Sequence, residues 1–144
     1  MLEVIDFYLF YTFLTFKHII MAVVRSFKDL IVYQKAYKLA MEIFEISKTF
    51  PHEEKYSLTD QIRRSSRSIT TSIAESWAKR NYIKYFSSKL SDSLSEEYET
   101  EVWLDYSKDC EYINAVKHKY FIEQYEEVRK ILISMIKSPE KFCR

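Results

Sequence analysis

Apolar residues recur along this chain in four stretches, each with the three-to-four-residue spacing of a helix buried on one side. In the first, Val32, Ala36, Leu39, Ala40, Ile43, Ile46 and Phe50 share a stripe, predicting a helix from Phe27 or Asp29 to Thr49. Ser26 stands as N-cap with Asp29 three residues on, a capping-box pattern, and Pro51 ends the run. The second helix is expected from Ser57 to Lys79, with Leu58, Ile62, Ser66, Ile69 and Ile73 on one face and Trp77 at its edge. Its middle is crowded with serine and threonine, which are middling helix formers, so tertiary packing must hold it and a neighbouring helix can approach closely. The third helix is predicted over Tyr82 to Glu111 and the fourth from Asn114 or Ala115 to Lys137. In the fourth, Phe121, Tyr125, Val128, Leu132 and Met135 repeat in heptad fashion before Pro139 closes it. Asn81 and Asn114 fall in the connections, where asparagine takes αL or caps a helix. Short links between four helices predict an all-α, antiparallel up-down-up-down four-helix bundle.

Two of the stripes do not close neatly. On the first helix Tyr33, Tyr37, Met41 and Phe44 form a second apolar row, turned about 60–140° from the core stripe. Either two neighbouring helices cover this wide arc or it forms a subunit interface. On the third helix Phe86, Leu90, Ser93, Leu94 and Leu104 share a face with Glu97 and Glu101, whereas Tyr98, Val102, Tyr106 and Ile113 line another. Either the buried stripe rotates midway, which is the simpler expectation, or two carboxylates point inward and need cationic or hydrogen-bonding partners.

The segment Phe7–Phe16, FYLFYTFLTF, is uninterrupted apolar and threonine sequence. It is shorter than the roughly 20 residues that span a bilayer, and extension to Val24 would bury Lys17 and His18. Glu3 and Asp6 occupy the place where a signal peptide carries positive charge. Three readings stand: a translated upstream stretch with Met21 as the natural start, an element packed on the bundle or on a partner chain, or a membrane-surface anchor. The chain divides into residues 1–25 as an apolar extension, 26–138 as the bundle and 139–144 as a tail.

Composition narrows the chemistry. The 144 residues contain no glycine and two prolines, which argues against turn-rich β architectures and removes every Gly-rich phosphate loop. The net charge is +1, so any affinity for nucleic acid must come from local patches. Cys110 and Cys143 lack metal-type or redox-type spacing and read as reduced thiols of a cytoplasmic protein. His18, His52 and His118 complete neither a Glu-x-x-His pair, an H-E-x-x-H motif nor an Arg-x4–6-His ribonuclease motif. No histidine is placed to activate a serine. The acidic stretch Glu96, Glu97, Glu99 and Glu101 lacks the loop geometry of a hard-cation site. No catalytic residue, metal ligand or cofactor is therefore expected.

The clearest polar constellation is Arg63, Arg64 and Arg67, at about 100°, 200° and 140° around the second helix from Ile62. Lys79, Arg80 and Lys84 add charge beside Trp77 and Tyr82. Guanidinium forks suit phosphate oxygens, and aromatics next to cations can stack on unpaired bases. The arginines could instead pair with acids of the third helix, or meet an acidic protein surface.

The stretches Ser26–Tyr37 (SFKDLIVYQKAY), Thr49–Tyr56 (TFPHEEKY), Leu58–Ser65 (LTDQIRRS), Ser68–Arg80 (SITTSIAESWAKR) and Trp103–Ile113 (WLDYSKDCEYI) carry a resemblance. In their order and spacing residues 26–113 resemble the bacterial four helix bundle protein family, also labelled S23 ribosomal protein or 23S rRNA intervening-sequence protein. The accessory variability determinant of diversity-generating retroelements is a similar protein. The resemblance implies an up-down bundle assembling as a homopentameric ring without enzymatic activity. It implies a basic surface that contacts RNA or DNA and, by the retroelement relative, a reverse transcriptase as partner. An interaction scaffold without nucleic-acid contact is the alternative. The family label reflects genes lying within ribosomal RNA intervening sequences. Where the family commonly has glycine, this chain has Ser76 and Glu111, so a turn that used αL glycine must differ or be strained.

Overall fold

The computed structural model describes residues 24–143. The apolar stretch Phe7–Phe16, the three readings attached to it and the proposed start at Met21 lie outside the described residues. Four helices account for the fold: α1 (Ile31–Ser47), α2 (Leu58–Ala78), α3 (Ile83–Asp109) and α4 (Ala115–Lys137). There is no strand among the described residues. The all-α four-helix bundle is as the periodicity predicts. α2 packs on α1 and α3, and α4 packs on α3 and α1, so the helices neighbour one another in chain order around a common core.

The first helix begins later than its pattern indicates. Ser26 and Asp29 do form a reciprocal capping box, but it closes a 3-10 turn over Phe27–Asp29. Leu30, at φ −69° and ψ 123°, then breaks the chain before α1 starts at Ile31. Leu30 is itself buried in the core. The entry turn thus serves to swing a leucine inward. At the other end of the chain, residues 139–143 do not trail away as a tail. A 3-10 turn over Pro139–Lys141 folds back, and Phe142 stacks on buried Phe86 with ring centroids 6.0 Å apart.

The core consists of the expected stripes. Val32, Ala36, Leu39 and Ile43 of α1 meet Ile62, Ile69 and Ile73 of α2, Phe86, Leu90 and Leu104 of α3, and Phe121, Val128 and Leu132 of α4. Each large side chain buried in this way contributes about 1.5–3 kcal/mol relative to exposure. The small residues of α2 turn toward its neighbours: Ser65, Ser66, Ser72 and Ser76 are buried. The hydroxyls of Ser65, Ser66 and Ser76 are satisfied locally or across the helix pair. Ser76 Oγ donates to the Ile73 carbonyl at 2.7 Å, and Thr100 Oγ1 of α3 donates to Ser65 Oγ at 2.9 Å. Ser93 Oγ of α3 reaches the Ile69 carbonyl at 2.9 Å. Ser76 therefore sits inside a regular helix, where bulk and not φ restricts the residue.

Glu111 is the position where φ matters. It has φ 61°, the one positive φ among the described residues. The α3 terminus closes as a Schellman motif around it, with the Glu111 amide donating to the Lys108 carbonyl at 2.9 Å and the Tyr112 amide to that of Ser107 at 2.8 Å. Tyr112 then packs on Phe50, and its hydroxyl donates to Glu54 at 3.0 Å. The turn keeps the left-handed geometry and accepts the Cβ strain, about 1–2 kcal/mol for a residue with a side chain.

The third helix resolves its two candidate faces in favour of inward carboxylates, against the rotated stripe. Tyr98, Val102 and Tyr106 are about half exposed, whereas Glu97 is fully buried. A helix that packs along its whole length cannot turn its stripe without unwinding, so the carboxylates stay on the buried line. Glu101 lies at the edge of the core and accepts two hydrogen bonds from Arg129 of α4, at 3.0 and 3.2 Å. Neither Glu97 oxygen receives a hydrogen bond and the buried hydroxyl of Tyr125 has no partner, while the protonated Glu97 carboxyl lies within hydrogen-bonding reach of Glu101. Burial foremost, and then the negative charge of Glu101, push the Glu97 carboxyl up to about 8, with Arg129 pulling the other way. The side chain is thus held protonated at neutral pH.

Two measurements check these features. Glu111→Gly should stabilise the protein by about 1 kcal/mol, since relief of the αL strain outweighs the added entropy of the unfolded chain; a denaturant midpoint no higher than the parent's would contradict it. For Glu97 the native pKa lies above the unfolded one. Its stabilising contribution is complete below about pH 4.5 and is lost as pH rises through about 8. Glu97→Gln, which cannot ionise, should match the parent at pH 5 and exceed its Tm by roughly 3 °C or more at pH 8. A difference in Tm that does not grow with pH would refute the assignment.

Candidate nucleic-acid interface

The amphipathic pattern of α2 puts its large polar side chains opposite Ile62, Ile69 and Ile73. At 100° per residue Arg63 and Arg67 lie 40° apart on the flank toward α1, and Arg64 lies farther round. The ridge read from the sequence is therefore divided. Arg63 Nε donates to Ser47 Oγ of α1 at 2.7 Å, and its guanidinium carbon stands 5.0 Å from the centroid of the Phe44 ring. Arg67 stands 5.6 Å from the same ring, and Lys48 Nζ 4.6 Å from it. Three cations from two helices surround one phenylalanine, an arrangement that the ring's quadrupole favours. Arg64 turns the other way. It lies 3.8 Å from Asp60 in an exposed i,i+4 pair, and its charge is felt by Glu96 of α3.

Lys79, Arg80 and Lys84 form a second group at the α2–α3 turn, about 24 Å along the α2 axis from Arg63. Arg80 folds over Trp77, 4.4 Å from the ring, and donates to the Trp77 carbonyl at 2.9 Å. It thereby caps the negative end of α2. Lys79 and Lys84 are exposed, beside exposed Tyr82 and Tyr85.

The acids that might have neutralised these cations are engaged elsewhere. Glu101 holds Arg129, Glu75 and Asp92 share Lys89, and Asp105 meets His118. Among the described residues Arg63, Arg67, Lys79, Arg80 and Lys84 take part in no ion pair, whereas Arg64 does. The structure thus gathers Arg63 and Arg67 with Lys48, a residue the sequence reading passed over. Lys48, the C-cap of α1, lies one turn beyond Phe44 and also pairs with Glu45 at 2.8 Å, and the one-turn spacing is the signal that could have found it.

The second apolar row of α1 is divided too. Tyr33 is half-buried, edge-on to Phe27 at 5.0 Å and stacked on Tyr37 at 6.0 Å. Tyr37 and Met41 are 53% and 44% exposed, so no neighbouring helix of the same chain covers them. Phe44, expected alongside them, is instead the base of the cation cluster.

No group of three or more His, Cys, Asp or Glu among the described residues is placed to hold a metal ion. Cys110 and Cys143 are free thiols. No helix among the described residues is long and apolar enough to cross a membrane.

Comparison with known proteins agrees with the bundle. A protein of unknown function from the S23 ribosomal protein family of Bacteroides thetaiotaomicron has a crystal structure similar to this one, with a TM-score of 0.67 and 32% sequence identity. The match covers 74% of this chain and 96% of that one. No curated protein matches the chain. The family model described as 23S rRNA-intervening sequence protein matches residues 28–134, nearly the whole bundle from the entry turn to the last turns of α4, and on that match the chain belongs to the 23S rRNA-intervening sequence protein family.

Proposed function

We propose that this protein is a non-enzymatic, oligomeric accessory factor that binds structured RNA or DNA through its α1–α2 face. The observation that carries this reading is the set of cations without carboxylate partners: Arg63 and Arg67 around Phe44, and Lys79, Arg80 and Lys84 at the far end of α2. Guanidinium groups held by an aromatic ring and a single hydroxyl keep free donors for phosphate oxygens. Two groups about 24 Å apart suit phosphates several nucleotides apart along a helical backbone better than a single small anion.

The oligomer is part of the same proposal. A net charge of +1 gives one subunit little hold on a polyanion, but copies arranged in a ring add their contacts by multivalency. Exposed Tyr37 and Met41 supply an uncovered apolar face for that assembly, and the family resemblance favours a pentamer. A cytoplasmic setting fits both parts, and the resemblance to the retroelement protein makes a reverse transcriptase a partner to test.

Binding of a structured RNA and of a DNA duplex should weaken steeply with salt. The double variant Arg63→Gln/Arg67→Gln should lose about tenfold or more in affinity and lower the logarithmic salt slope by roughly 1.5 for each subunit in contact, from two lost phosphate contacts per subunit. Arg64→Gln, whose charge is already partnered, should change both less. Fluorescence anisotropy across a salt series reads all three; absence of salt-sensitive binding at micromolar protein would end the proposal. Native mass spectrometry tests the assembly. The parent should run as an oligomer that Tyr37→Glu/Met41→Glu disperses, and a parent that is monomeric at micromolar concentration would remove the ring.

A further inference from the structure

An apolar groove of about 490 Å³ opens where the chain enters the bundle. Leu30, Ile31 and Val32 form one wall at the start of α1, and Ile131, Met135 and Phe142 form the other at the end of α4. The charged groups at its rim are already engaged. Asp29 accepts the amides of Arg25 and Ser26 at 2.9 Å each, and Lys130 pairs with Glu126 at 2.8 Å. The groove therefore offers its occupant hydrocarbon and little else, which does not suit a polar small molecule. Ile31 is 64% exposed at its mouth.

Val24 also lines this groove, so the chain reaches the bundle at the groove's own edge. Phe16 is eight residues upstream of Val24, within about 29 Å even if the intervening chain is fully extended. The segment it ends, Phe7–Phe16, carries six aromatic side chains and no charge. Left in water, such a stretch is an aggregation hazard. An uncharged aromatic segment and an apolar groove with occupied rim groups are thus tethered within reach of each other.

We infer that the segment Phe7–Phe16 docks in the groove between the start of α1 and the end of α4 of its own chain. The docked segment covers Ile31 and extends the core past Phe142. This inference does not rest on the nucleic-acid reading, since the groove contains none of the cations assigned to it.

Crosslinking in the full chain tests it. Cys143 adjoins the groove wall at Phe142, and the exposed thiol at Cys110 is removed by Cys110→Ser. Thr15→Cys then places a second thiol in the segment, and a short bismaleimide is added to the folded protein. The expected product is a link to Cys143 at monomer mass, identified by peptide mass spectrometry. Ile31→Asp and Ser134→Glu each put a charge on an exposed position of the groove, and Asp at the start of a helix preserves the helix. Both should lower the yield about fivefold or more, because an unpaired charge opposes apolar docking, with the circular dichroism unchanged. Links found only between copies, a yield no higher than in the denatured chain, or indifference to both charges would each overturn the inference. So would an unlinked segment that instead carries the chain onto anionic liposomes.

Discussion

The close seam between α2 and α3 is the constraint from which the rest of the molecule follows. Ser65, Ser66, Ser72 and Ser76 leave so little bulk on α2 that hydroxyls of α3 reach across to it, Ser93 to a main-chain carbonyl and Thr100 to a serine. Side chains this small lose little entropy on burial, and the hydroxyls of Ser65, Ser66 and Ser76 find acceptors within their own helix, so the seam leaves few polar groups without partners. The large residues of α2 are then confined to its other faces. The isoleucines point into the core, and the arginines are left on the outside, with α1 as their nearest support.

The same seam explains what was legible in the sequence and what was not. The four helices could be read because their isoleucine, leucine and phenylalanine stripes keep a helical period, and the links betray themselves through Pro51, Asn81, Asn114 and Pro139. The left-handed turn at Glu111 was visible as a residue out of place. Periodicity fixes which positions share a face but not what the neighbouring helix offers them. On that ground alone a buried Glu97 looked less economical than a rotated stripe, because the salvage of its neighbour Glu101 comes from Arg129, far along the chain on α4. The ridge of Arg63, Arg64 and Arg67 was legible as a set of angles. Its division was not, since that depends on Ser47 and Phe44 of α1 drawing two of the three guanidinium groups toward themselves. Lys48 was missed for the same reason: its meaning lies in a ring it shares with another helix.

Charge is consequently sorted by side of the bundle. The α1–α2 flank carries cations braced by an aromatic ring, and α3 carries Glu96, Glu99, Asp105 and Asp109 over its second half. A chain with a nearly balanced total thus presents the unpaired Arg63 and Arg67 on a different flank from the acids of α3. Such a molecule is oriented by an approaching polyanion before it touches it. Exposed Tyr37 and Met41 lie on the α1 side, away from the acidic helix, so an apolar contact there leaves α3 open to solvent.

Glu97 changes the charge count itself. The formal total of +1 treats every carboxyl as ionised, but a carboxyl held up to about 8 keeps its proton at pH 7. Withdrawing that one negative charge leaves the folded chain about one unit more positive than the formal total. Folding at neutral pH is accordingly accompanied by the uptake of a proton. The folded bundle is therefore more cationic than its composition states, by an amount set in the interior and not on the surface.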